Sequence, residues 1–97
     1  MRTSPTPVSE QALAGHLAVH PAWSLADGKL HRELSFPSFI EAFGFMTRVA
    51  LIAQSMDHHP EWSNVYGTVV IDLVTHSAGG ITENDLELSR AIDALDE

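Results

Sequence analysis

The sequence predicts an α+β domain of two layers, a four-stranded antiparallel sheet with three helices on one face, in the order α-β-β-α-β-β-α. Two observations carry this. Two pairs of short strands, each interrupted by a tight-turn signal, read as hairpins. Three capped helical stretches precede, separate and follow them, an arrangement that packs helices on one side of an antiparallel sheet.

The elements follow in chain order. Residues 1–8 read as a flexible tail, and residues 9–97 as one domain. Ser9 caps a helix to about residue 19, with Leu13 and Leu17 on its apolar side, and Pro21 ends it. Trp23 to Leu25 forms a short strand and Asp27-Gly28 a two-residue hairpin turn. Leu30 to Phe36 returns, with Leu30, Arg32, Leu34 and Phe36 on one face and His31, Glu33 and Ser35 on the other. Pro37 suits a first helical turn, and Ser38 with Glu41 has capping-box spacing. The helix they open runs to about Asp57 and carries two apolar lines: Phe39, Phe43, Met46, Ala50 and Ala53, then Phe45, Val49, Ile52 and Met56. A helix apolar on two sides is covered on two sides, by the sheet and by a partner subunit. A homodimer or homotetramer through the helix at 38–56 is therefore expected.

Val65-Tyr66, a turn at Gly67, and an alternating strand from Val69 to Thr75 make the second hairpin. Val69, Ile71, Leu73 and Thr75 take one face; Val70, Asp72, Val74 and His76 take the other. Gly79-Gly80 breaks the chain, and Thr82 caps the last helix with Asp85 at the capping-box position.

Composition excludes several functions. Five basic residues against thirteen acidic ones give a net charge of −8, which repels phosphate backbones, so direct nucleic-acid binding is not expected. No cysteine is present, which removes disulfides and thiolate zinc sites. No apolar run is long enough for a membrane span, and the first residues lack the apolar stretch of a signal peptide, so a cytoplasmic protein is expected.

Three of the six histidines, His58, His59 and His76, fall close to one another along the hairpin. Histidine exchanges protons near neutral pH without a large environmental shift. Proline at position 60 disfavours a helical His59, so the helix ends by about His58. Asp57 and these histidines are the only nearby metal candidates; zinc wants three or four ligands at set spacing, these show no helical His-x-x-x-His spacing, and no metal is assigned. Trp62 and Tyr66 read either as strand core or as an aromatic wall for a flat ligand. Asp85 reads as a helix cap or as an acid. His16, His20 and His31 receive no role.

Phe43-Gly44-Phe45-Met46-Thr47-Arg48-Val49-Ala50, His58-His59-Pro60-Glu61-Trp62-Ser63-Asn64-Val65-Tyr66, Leu73-Val74-Thr75-His76 and Gly80-Ile81-Thr82-Glu83-Asn84-Asp85 resemble the pterin-4a-carbinolamine dehydratases. The resemblance covers roughly Trp23 to Asp93. It implies dehydration of 4a-hydroxytetrahydropterin to quinonoid dihydropterin, which returns the cofactor of aromatic amino acid hydroxylases for reduction. The family's functional histidines correspond to His58, His59 and His76; His58 and His76 would move protons while His59 orients the pterin. Pro60 and Trp62 would shape the pocket, and Asp85 would act behind it or cap its helix. Gln54 stands where many members have a charged residue. No metal or organic cofactor is implied, because the pterin is the substrate. The other classes open to the chain are a pterin-binding accessory protein and a dimerisation partner of a transcription factor, the latter through the long helix.

Overall fold

A computed structural model describes residues 5–96. Residues 1–4 of the expected tail lie outside the described residues. Pro7, expected within the tail, instead bridges to Thr82, and the Val8 N–H donates to Ile81 O at 2.9 Å.

The helices are α1 (Glu10–Val19), α2 (Phe39–Met56) and α3 (Glu83–Leu95), and the strands are β1 (Ser24–Ala26), β2 (Lys29–Ser35), β3 (Glu61–Val65) and β4 (Thr68–Leu73). The sheet runs β1-β2-β4-β3 with every neighbouring pair antiparallel. Both hairpins close through two residues. Asp27 and Gly28 both take positive φ, the backbone that matches strand twist, and Ala26 pairs with Lys29. Tyr66 and Gly67 join Val65 to Thr68. Gly67 is required by space: a Cβ there would lie 2.3 Å from Phe36 O, whose own N–H donates to Gly67 O.

The alternation in β2 and β4 decides which face is buried. Leu30, Leu34, Val69, Ile71 and Leu73 point to the helices and meet Ala42, Phe45, Val49 and Ala53 of α2 and Leu88 and Ile92 of α3. Each fully buried large aliphatic side chain contributes about 1.5–3 kcal/mol by leaving water. Ala53 and Met46, which periodicity places in line with Phe39 and Phe43, belong instead with the inner face of α2 beside Phe45 and Val49. The outer face keeps Phe39, Ile40, Phe43 and Leu51 exposed.

Arg32 shares the buried face of β2, where a charge needs compensation. Its two terminal guanidinium nitrogens donate to Asp93 of α3 and to Asp96, which caps the end of that helix, at 2.5 Å each. Asp93 also accepts from Trp23 Nε1 at 2.8 Å and pairs with His20 Nδ1 at 2.7 Å, so one carboxylate ties β2, α1 and the chain before β1 to α3. None of these contacts lies closer than 61 residues in sequence.

Candidate functional site

α2 ends where its sequence allows. Asp57 takes the left-handed conformation at φ 53°, and the N–H groups of Asp57 and His58 return to Gln54 O and Ala53 O in a Schellman pattern. The chain then passes through His58, His59 and Pro60 into β3. β4 stops at Leu73, short of the strand expected to reach Thr75. Thr75 bridges to Gly80 instead, and its carbonyl accepts from Ala78 and Gly80, folding 76–78 into a 3-10 turn. His76 therefore opens a turn and is not the last residue of a strand.

Register brings these segments together. Glu61, the first residue of β3, pairs with Asp72 near the end of β4, so the residues before β3 and after β4 share one end of the sheet. Three histidines stand at that end, and each is held by its Nε2. His58 Nε2 lies 2.5 Å from Asp85 Oδ1, His59 Nε2 lies 3.0 Å from Gln54 Oε1, and His76 Nε2 lies 2.6 Å from Glu61 Oε2. A carboxylate or carboxamide oxygen only accepts, so each Nε2 donates a proton and Nδ1 is left as the ring nitrogen free to gain or lose one.

Asp85 caps its helix and also contacts a histidine of the rim. Its Oδ2 accepts from the Thr82 N–H at 2.8 Å, completing the capping box, and from the Thr75 hydroxyl at 2.8 Å. Its Oδ1 anchors His58. Asp85 is fully buried, and the Thr75 and Thr82 hydroxyls meet at 2.8 Å beside it.

His76 is anchored in the open. Its side chain is 73% exposed, and Glu61, 44% exposed, is held on its other oxygen by Lys29 Nζ at 2.6 Å. The Lys29 hydrogen bond, then that from His76, holds Glu61 below the usual carboxylate range, and Glu61 in turn raises Lys29. Sequence reasoning passed over Glu61 and Lys29. The signal available was position: Glu61 follows Pro60 directly, and pairing a hairpin's strands predicts which residues flank its ends.

Pro60 is half-buried between His59 and β3. Trp62 pairs with Ile71 and packs on the core, so its ring belongs to the helical side of the sheet, while Glu61 points to the open side. Among the described residues no group of three or more His, Asp or Glu side chains is placed to hold a metal ion.

A second polar cluster lies apart. His16 and His20, one helical turn apart on α1, stack at 4.6 Å, and with Val19, Glu83, Leu86 and Arg90 they line an open groove of about 390 Å³. The Ser89 hydroxyl donates to Leu86 O, so it accepts from His16 Nε2 at 2.8 Å. Burial, then His20, pushes His16 below the usual histidine value. The groove shares no residue with the histidine rim, so the position of the rim's acid–base groups, not this hollow, locates the candidate site.

The fold and this rim define a small α+β domain that presents carboxylate- and amide-anchored histidines at one end of its sheet. Residues 6–95 match the family model described as pterin 4 alpha carbinolamine dehydratase, and the chain belongs to that family. It is 53% identical over 90 residues to a Solibacter usitatus protein provisionally named pterin-4-alpha-carbinolamine dehydratase, covering 93% of this chain and 95% of that one. A Prochlorococcus marinus protein with the same provisional name is 58% identical over 76 residues, 78% of this chain and 79% of that one. A crystal structure of a transcriptional coactivator/pterin dehydratase from Brucella melitensis superposes with TM-score 0.89 at 37% identity, covering 95% of this chain and all of that one. A pterin dehydratase-like RuBisCO assembly factor of the alpha-carboxysome shares the fold alone, with TM-score 0.61 at 20% identity, over 75% of this chain and 84% of that one.

Proposed function

We propose that this chain dehydrates 4a-hydroxytetrahydropterin to quinonoid dihydropterin by histidine acid–base catalysis, the step that regenerates the cofactor of aromatic amino acid hydroxylases. The observation that carries the reading is the common tethering of His58, His59 and His76 through Nε2 at one end of the sheet in a chain of this family.

The reaction breaks the C4a–O bond. The departing hydroxyl needs a proton to leave as water, and N5 must release its proton to form the C4a=N5 bond. Positioned acids and bases contribute about 10²–10⁴-fold to such a step. His58 and His76 handle the two protons through Nδ1, and His59 hydrogen-bonds and orients the pterin. Pro60 and, from the helical side of the sheet, Trp62 shape the pocket, and Asp85 holds His58. The pterin is the substrate, and no further cofactor enters this scheme. The outer face of α2, with Phe39, Ile40, Phe43 and Leu51, serves for self-association into a homodimer or homotetramer, which sedimentation of wild type against Phe43→Glu tests. A smaller wild-type species than a dimer removes that part of the reading.

The experiment follows freshly generated 4a-hydroxytetrahydropterin with and without the protein. Acceleration that His76→Ala abolishes, with pterin binding retained, supports the dehydratase. Decay at the uncatalysed rate in the presence of folded protein removes it and leaves a pterin-binding or partner-binding module.

A further inference from the structure

We infer that Glu61, braced by Lys29, is a positioning residue that fixes the tautomer of His76, so that Nδ1 is the ring nitrogen that exchanges protons with the pterin. The inference rests on the dehydratase reading of this site and adds a residue to it.

The geometry is specific. Both oxygens of Glu61 are engaged, one by Lys29 Nζ and one by His76 Nε2, each at 2.6 Å. Two anchors on opposite oxygens fix the plane of a carboxylate that a single contact would leave free to turn. Lys29 comes from β2 and Glu61 from β3, with β4 between them, so the contact spans the central strand of this end of the sheet. In the same row of the sheet His31 Nδ1 donates to Asp72 Oδ1 at 2.7 Å, and Asp72 is the partner of Glu61 across the ladder.

Exposed ion pairs add little to stability, so energy is not what this arrangement supplies. It supplies direction. A histidine with 73% of its side chain in solvent would otherwise sample several rotamers and both neutral tautomers. With Glu61 accepting from Nε2, that proton stays in place through the cycle. Nδ1 is then the nitrogen that gains the N5 proton or loses one to the departing C4a hydroxyl, with His58 making the opposite transfer and exchange with solvent restoring both rings. Lys29 keeps Glu61 ionised and occupied, which prevents the carboxylate from taking the pterin proton itself.

The test uses the full chain as wild type, Glu61→Gln and Glu61→Asp, read by ring ¹⁵N resonances of His76 and by steady-state kinetics. Wild type is expected to show an Nε2–H ring. Glu61→Gln, whose amide offers either a donor or an acceptor, mixes the tautomers and lowers kcat about 10–100-fold, as when metal-bound histidines lose the group holding their other nitrogen, with KM unchanged. Glu61→Asp recovers part of kcat and of the Nε2–H signal. An Nδ1–H ring in wild type overturns the inference, as does a folded Glu61→Gln with wild-type kcat. If wild type shows no dehydration at all, the functional reading fails, while the ¹⁵N arm still decides what Glu61 does to His76.

Discussion

His58 and His76 are tethered by the same atom to the same kind of group in opposite surroundings. His58 has 11% of its side chain exposed and leans on a fully buried Asp85 that also serves a backbone N–H and a threonine hydroxyl. His76 stands in solvent against a surface glutamate steadied by one lysine. The first orientation is part of the fold, because the carboxylate that aims the ring also starts α3. The second is imposed by side chains that the fold does not need. On the dehydratase reading the two tethers should differ in what their loss costs: loss of the buried one lowers stability and activity together, and loss of the exposed one lowers activity alone.

The most severe way to break the comparison is Asp85→Ala. It strands the Thr82 N–H, the Thr75 hydroxyl and His58 Nε2 in the interior, and should cost roughly 2–4 kcal/mol of unfolding free energy in urea titration, with kcat falling as well. Thr75→Val keeps the shape and removes one donor to Asp85. About 1–2 kcal/mol is expected from the same titration, with a smaller fall in kcat.

Two histidines away from the rim sharpen the contrast through pH. Asp72 raises His31, so its proton stabilises the folded chain; that contribution is complete below the ordinary histidine value near 6.5 and is lost as pH rises through the raised value. Burial lowers His16, so folding favours its neutral ring; that contribution is present above about 6.5 and is lost as pH falls through the lowered value. Thermal unfolding across neutral pH should show His31→Gln flattening the alkaline side of the stability curve and His16→Gln flattening the acid side. The smallest effect belongs to Lys29→Met, which should leave the unfolding midpoint unchanged and lower kcat less than Glu61→Gln does.

Much of this architecture was legible because local rules and packing agreed. Asp27-Gly28 dictates its turn, Ser38 and Thr82 cap the helices they were expected to cap, and alternation in β2 and β4 separates the two faces of the sheet. Reading stopped where side chains meet across long separations. Nothing near Arg32 announces that Asp93 and Asp96 neutralise it, and nothing near His16 announces Ser89. The end of β4 was misplaced by two residues because Thr75 continues the alternation, and only its bridge to Gly80 shows why the strand turns away. At the rim, the histidines stood out by residue type, and their tethers did not. Asp85 reads from sequence as either cap or site residue, yet a carboxylate has two oxygens, and this one caps α3 with Oδ2 and meets His58 with Oδ1.

The most direct test compares His58→Ala with His76→Ala, measuring kcat on 4a-hydroxytetrahydropterin and unfolding free energy on the same preparations. Both variants should lose at least about 10²-fold in kcat, while only His58→Ala loses stability. A His76→Ala protein that keeps wild-type turnover, or that is destabilised as much as His58→Ala, would contradict the account.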